Sequence, residues 1–437
     1  MRDLSLSSRS PEEQDLVERA FRALPAGTLG NVTMPFYQAF VVKEARGSRI
    51  YDHSGREYID YLLGSGPLVL GHAHPAVNQA VKDALDRGST YFLTSGPAIE
   101  LAEEIVRAVP CAEQVRFTVT GTDATFQCLR IARAYRRREK VLKFEGGFHG
   151  GHDYSMVSLA PRPGQLGEFP RGVPSSAGIP KAVAETVLVA PFNDASAATA
   201  IIDQHADELA AVIVEPFQRT LAPVEGFLQA LREATTRHGV PLIFDEVVTG
   251  FRLAYGGAQE YYGVVPDLAA LGKIIGGGFP LGAVAGRADF MRHYDASAVA
   301  PEDFVPQTST LAGNPIACVA GLATLAELRK PRQYQRLHDT GRALIAGLHD
   351  ALAAAEVPHQ FGGEPVCVEV YFTAEPVRDY RDTLKADTTL AARFARGLLE
   401  RGVLKGGQKF YVSLAHTEED VATTVQAARE VARELRR

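Results

Sequence analysis

The chain has 437 residues, 46% of them hydrophobic and 22% charged, with a formal net charge of −6. That length exceeds one ordinary core, so two or more lobes are expected, and the composition is globular rather than disordered or fibrous. The mild acidity, spread over the whole length, leaves no basic face for nucleic acid or anionic lipid.

In chain order, the first stretch carries Arg2, Asp3 and Glu12-Glu13 without an apolar run, and reads as neither a signal peptide nor a membrane anchor. Strands are expected over 40–43 and 50–51, joined through Gly47 and followed by a turn at 52–55. Beyond them, short β-branched runs alternate with helical patterns, the signature of a parallel sheet wrapped by helices. The expected strands are 115–120, 141–144, 186–190, 211–215, 241–245 and 268–271, several of them apolar throughout, as strands covered on both faces should be. Helices over 124–138 and 226–238 have the length a crossover needs. Arg136-Arg137-Arg138 closes the first of them, where cations suit a helix C-terminus. Residues 321–437 read as mostly helical, with Val421, Val425, Ala428, Val431 and Leu435 on one face of a last helix. The expected class is therefore α/β: a large sheet domain over 81–320 and a smaller domain assembled from 1–80 and 321–437. Cys111, Cys128, Cys318 and Cys367 lack metal or disulfide spacing and suit the core of a reduced, cytoplasmic protein.

Three places carry chemistry. Lys273 stands in Leu271-Gly-Lys-Ile-Ile-Gly-Gly-Gly278 among apolar residues and glycines. An amine drawn out of water loses part of its preference for the ammonium form, as a lysine that condenses with a carbonyl requires; the plainer reading is a lysine snorkelling from a strand end. Thr120-Gly121-Thr122 closes one strand and opens a helix, so it is either an anion cup of backbone N–H groups and two hydroxyls or simply a cap. Asp245-Glu246 ends a central strand, where ligands of open α/β sheets bind. Asp245 fits the partner of a protonated pyridine nitrogen, and fits a metal pair or a helix cap equally well. Neither Gly146–Gly151 nor Gly276–Gly278 has the glycine spacing of a dinucleotide fingerprint. The pairs His72/His74 and His149/His152 lack carboxylate or cysteine at ligand spacing, so no metal is expected.

Six motifs in order resemble the class III pyridoxal-phosphate aminotransferases, and within them the glutamate-1-semialdehyde 2,1-aminomutase branch. They are Thr120-Gly-Thr-Asp-Ala-Thr125, Phe144-Glu-Gly-Gly-Phe-His-Gly150, Phe244-Asp-Glu-Val-Val-Thr-Gly-Phe-Arg252, the Lys273 run, Thr310-Leu-Ala-Gly-Asn-Pro315 and Ser413-Leu-Ala-His-Thr417. The resemblance implies fold type I and pyridoxal 5′-phosphate as cofactor. Lys273 would carry it covalently and shuttle a proton, Asp245 would pair with the ring nitrogen, and Val247 and Phe148 would cover the ring's two faces, with His149 beside them. Gly121 and Thr122, with Thr120, would hold the phosphate, joined by Thr310 from a second subunit of a homodimer. Glu215 and Gln218 would approach the phenolic oxygen and the substrate.

Three positions depart from the aminomutase branch. Gly30-Asn-Val-Thr-Met-Pro35 lacks its substrate-binding arginine at Val32-Thr33, Ser65 stands near its tryptophan, and Gln408 replaces its gating glutamate. The resemblance with these changes implies an aminotransferase taking an amine donor and a carbonyl acceptor without a nearby carboxylate, such as an oxidised amino sugar or cyclitol. An aminomutase or epimerase on the same scaffold is the alternative, and a non-catalytic pyridoxal-binding protein the third reading. No nucleic acid or membrane partner is expected.

Overall fold

The computed structural model describes residues 4–30, 36, 39–406 and 409–436; Val32, Thr33 and Gln408 lie outside the described residues. The chain divides into two compact units, one formed by 1–74, 335–375 and 386–437, the other by 75–334 and 376–385. The smaller unit opens with β1 (Val42–Arg46), β2 (Arg49–Asp52) and β3 (Glu57–Asp60). The larger holds β4 (Gln114–Thr118), β5 (Lys140–Phe144), β6 (Val187–Ala190), β7 (Leu209–Val214), β8 (Leu242–Glu246), β9 (Leu268–Leu271) and β10 (Gly282–Gly286). The chain then returns to the smaller unit for β11 (Gln360–Glu364), β12 (Cys367–Tyr371), β13 (Val403–Leu404) and β14 (Phe410–Tyr411).

The larger unit is an α/β layer structure on one seven-stranded sheet, order β4-β10-β9-β8-β7-β5-β6. The pairs among β9, β8, β7, β5 and β6 are parallel, whereas β10 runs antiparallel to both of its neighbours. Every residue of β6, β7, β8 and β9 is buried, which is why these strands read as continuous apolar runs rather than alternating ones. On one face Phe144, Phe192 and Phe227 meet edge to face, backed by helices Ala195–His205 and Phe227–Arg237. On the other, Cys128, Leu129, Ile131 and Ala132 of helix Gly121–Arg136 pack on Val141, Ile213 and Ile243.

The expected strands and helices are all present, within a few residues of the expected bounds. β10, Gly-Ala-Val-Ala-Gly, is an additional strand: it offers one β-branched residue in five, too little to register as a strand pattern. The changeovers between units fall at 74/75 and 334/335, where the sequence led to 80/81 and 320/321. The reason is packing: helix Pro75–Leu85 lies against helix Pro315–Leu328, so both belong to the sheet unit.

In the smaller unit β1, β2, β3 and β13 form one sheet and β11, β12 and β14 another. The last helix, Glu418–Leu435, opens on a Thr417–Asp420 capping box and buries Val421, Val425, Ala428, Val431 and Leu435. Ser65 sits in this unit, in the turn Leu63–Ser65, with a positive φ of 66°. No helix among the described residues is long and apolar enough to cross a membrane. All four cysteines are buried free thiols.

Candidate active site

The C-terminal ends of β7, β8 and β9 gather one group of side chains, all in the larger unit. The penultimate residue of β8 is Asp245, buried, whose Oδ1 accepts the Val247 N–H at 3.1 Å and whose Oδ2 lies 2.8 Å from His149 Nδ1. Burial pushes the Asp245 carboxyl up to about 7, against the Val247 N–H and the positive charges of Lys273 and Arg219. Burial and the neighbouring Lys143 ammonium push His149 down to about 3, so its imidazole is neutral, and one proton makes the hydrogen bond between its Nδ1 and Asp245. Its buried Nε2 has no hydrogen-bond partner among the described residues.

Two residues past β9, Lys273 has a left-handed backbone, φ 50°. A lysine held there costs roughly 1 kcal/mol or more, and such strain persists where surrounding structure fixes it. Val247 ties this turn to the start of helix Gly121–Arg136. A Cβ on Gly121 would stand 2.7 Å from both Val247 Cγ atoms, and one on Gly272 would stand 3.2 Å from Val247 and 3.5 Å from Gly121 Cα. Only glycine permits this approach, which brings the lysine's turn against the helix N-terminus. Gly150, at φ 99°, closes the other side, where a Cβ would lie 2.6 Å from Thr122. The Gly151 N–H donates to Thr122 Oγ1 at 3.3 Å.

The loop after β5 supplies Phe148 and His149. Phe148, 40% exposed, donates its N–H to Glu215 Oε2 at 2.9 Å. Gln218 donates to the Glu145 carbonyl at 2.8 Å, while its Oε1, buried, has no partner among the described residues. Glu145 in turn is paired with Arg381 at 2.7 Å.

Asp245, His149, Val247, Gly121, Thr122, Phe148, Glu215, Gln218 and Lys273 are thus brought together. Two expected residues differ. The Thr120 hydroxyl is taken by the helix: it accepts the Asp123 N–H at 3.1 Å and donates to Asp123 Oδ2 at 2.9 Å, so Thr120 caps rather than lining an anion cup. Thr310 is exposed in a cleft of about 490 Å³ with Phe92, Leu93, Phe117 and Asn314, none of them in the Lys273 group.

Lys273 is half-buried, and a lysine fully out of water lies nearby in the same unit: Lys143, 1% exposed. Its Nζ donates to the carbonyls of Gly147, Ser155 and Val157, stapling the loop that carries Phe148 and His149, and burial lowers it to about 7. The sequence signal was a lysine between Leu142 and Phe144, inside a strand that is apolar apart from its first residue, Lys140. Arg219 was missed as well. Its guanidinium lies 5.4 Å from the Phe148 ring centre, and the signal was a cation in the turn 218–221, a few residues past β7.

A model of the family described as Aminotransferase class-III matches residues 32–428. The chain belongs to the class III aminotransferases. The glutamate-1-semialdehyde 2,1-aminomutase of Methanothermobacter thermautotrophicus is 42% identical, over 96% of this chain and 98% of that protein. Among solved structures, an omega-transaminase from Sphaerobacter thermophilus superposes with a TM-score of 0.91 at 37% identity, covering 97% of this chain and 98% of its own. A β-phenylalanine aminotransferase from Variovorax paradoxus gives 0.86 at 31%, covering 97% and 94%. As a class III aminotransferase the protein is a pyridoxal-phosphate enzyme of fold type I. Its site fits that cofactor. Glycines crowd the helix N-terminus where a phosphate would lie, a buried carboxyl near pH 7 stands beside it, and the loop that brings His149 to that carboxyl also carries a part-exposed aromatic, Phe148. The oxidised amino sugar expected as acceptor finds no support among these relatives.

Proposed function

We propose that this class III enzyme exchanges an amino group between an amine donor and a carbonyl acceptor, using Lys273 and Asp245 as its catalytic pair. The observation that carries the reading is the convergence of Lys273, the His149–Asp245 pair and the Gly121 helix start at the C-terminal ends of the interior strands β8 and β9. Bound pyridoxal phosphate supplies an electron sink for the pair released when a substrate C–H bond breaks. Lys273 Nζ would hold the cofactor and, when free, would be the base that takes that proton from the substrate carbon. Asp245 holds the ring nitrogen protonated, and His149 fixes the carboxylate's orientation through Nδ1–H. Val247 and Phe148 would cover the ring, Gly121 and Thr122 would hold the phosphate, and Gln218 and Glu215 would stand toward the phenolic oxygen.

Thr310 takes its part from a second copy. In support, its cleft is lined by apolar side chains that one chain leaves in water: Tyr91 43%, Phe92 66% and Leu93 82% exposed. Such a patch is a surface for a protein partner, and a two-fold dimer satisfies it with self-complementary contacts.

The second reading is an aminomutase that returns the amine to the molecule it came from, favoured by the 42% identity to the Methanothermobacter enzyme. Single-turnover mixing of the holoenzyme with an amine alone separates the two. Stoichiometric pyridoxamine phosphate and a free carbonyl product support transamination. Efficient conversion of glutamate-1-semialdehyde to 5-aminolevulinate, with no release of either, supports the mutase.

A further inference from the structure

His349, exposed on helix Gln333–Ala354, and His359, half-buried just before β11, meet in the smaller unit. Their ring nitrogens face each other, His349 Nδ1 to His359 Nε2, at 2.9 Å. The other nitrogen of His359, Nδ1, lies 2.7 Å from the Val357 carbonyl oxygen. A carbonyl only accepts, so in the neutral ring the proton sits on Nδ1 and Nε2 presents a lone pair toward His349. His349 meets it in one of two tautomers. With its proton on Nδ1 it donates to His359; with the proton on its own Nε2, two lone pairs converge on one gap.

That gap has the dimensions of a metal site. Metal–imidazole bonds of about 2.0–2.1 Å meeting at roughly 90–110° set two nitrogens about 2.8–3.4 Å apart. The N–H of His359 on a backbone carbonyl is also the outer contact that fixes a ligand imidazole's tautomer and raises the basicity of its free nitrogen. The Phe361 ring, centred 5.6 Å from His359 and 6.4 Å from His349, packs beside both rings and limits their rotation. Among the described residues no group of three His, Cys, Asp or Glu side chains is placed to hold a metal, so an ion on this pair keeps water in its other positions.

We propose that His349 and His359 together bind one divalent transition-metal ion of the class that favours imidazole, Cu²⁺, Ni²⁺ or Zn²⁺, and that the ion clamps the helix to the segment leading into β11. Binding balances without proton release: the His349 proton moves from Nδ1 to Nε2, both rings stay neutral, and each gives one lone pair to the ion. Mg²⁺ and Ca²⁺, which take oxygen ligands, are disfavoured. The two histidines are ten residues apart, so the close spacing of His72/His74 or His149/His152 does not announce them. They belong to the smaller unit and the Lys273 group to the larger, and the expected effect of the clamp is on stability.

The test uses the pyridoxal-loaded enzyme titrated with CuCl₂, NiCl₂, ZnCl₂ or MgCl₂ in a non-coordinating buffer. Calorimetry should show one Cu²⁺ site per chain, bound more tightly than Ni²⁺ or Zn²⁺, and no Mg²⁺ binding. His349→Ala and His359→Ala should each weaken Cu²⁺ and Ni²⁺ binding by about ten- to a hundredfold. Paramagnetic resonance of the Cu²⁺ complex should carry the splitting of two imidazole nitrogens in wild type and lose one of them in each variant. Ni²⁺ or Zn²⁺ at about a hundredfold excess over Kd should raise the wild-type Tm by several degrees and leave both variants unmoved. Because His349 is exposed, His349→Ala keeps the metal-free fold and decides the question if His359→Ala melts early. Undiminished binding by His349→Ala, or a copper signal that keeps its two-nitrogen pattern in that variant, would overturn the proposal. A wild type that binds none of the three imidazole-seeking ions would do the same.

Discussion

His149 Nδ1 lies 2.8 Å from Asp245 Oδ2, with both side chains 5% exposed or less. The pair holds a carboxyl in the protein interior at a pKa of about 7, high because burial disfavours its charge. A group whose folded pKa is raised stabilises the fold below its unfolded value, near 4, and that contribution is lost as pH rises through about 7. Cofactor-free wild type should therefore lose Tm relative to Asp245→Asn between about pH 4 and 7. With cofactor bound, the same substitution removes the charge opposite the ring nitrogen and should slow the half-reaction by roughly two to three orders of magnitude. Stopped-flow absorbance and thermal melts measure both; an unaltered half-reaction rate in the variant would count against Asp245.

Lys143 bears the opposite sign. Its folded pKa of about 7 is below the ordinary lysine value, so the unfolded chain binds more protons between about 7 and 10.5 and stability from this group rises with pH across that window. Lys143→Met strands the carbonyls of Gly147, Ser155 and Val157 and should cost about 3 kcal/mol or more. The variant should lose that pH dependence and release cofactor faster, because the loop bearing Phe148 and His149 is no longer stapled. Denaturant melts at pH 7 and 10 that shift in parallel for wild type and variant would refute this.

The two lysines and Arg219 show where the sequence was legible. Strands buried on both faces announced themselves, since a continuous apolar run such as Leu209–Val214 has few other uses. Asp245 could be placed because its strand end was visible. Burial of a single polar group was harder to read. Lys143 occupies a strand position whose neighbours are apolar, and only the fold reveals that three carbonyls from a later loop converge on it. The Thr120 hydroxyl had two competing uses at equal spacing, and Asp123, three residues on, decided for the cap. Arg219 lies in a turn defined by backbone sign, which no residue in Gln-Arg-Thr advertises.

The proposed dimerisation through the Thr310 cleft has a direct consequence. Leu93→Asp should cost a lone chain little, since the side chain is 82% exposed, yet it would bury a charge in an interface. The variant is expected to run as a monomer in light scattering and to retain cofactor poorly, and Thr310→Ala to weaken retention while remaining dimeric. A wild-type enzyme that is monomeric and fully loaded at micromolar concentration would contradict the second-copy role.

The central claim is that Lys273 Nζ carries the cofactor, and it is tested most directly by borohydride reduction followed by peptide mapping. Reduction should fix one pyridoxyl group per chain on the peptide containing Lys273, with Lys143 unmodified because its amine is occupied by three carbonyls. Lys273→Ala should yield no adduct and no turnover. Label on Lys143 or any other lysine, or multiple turnover by the Lys273→Ala enzyme, would contradict the account.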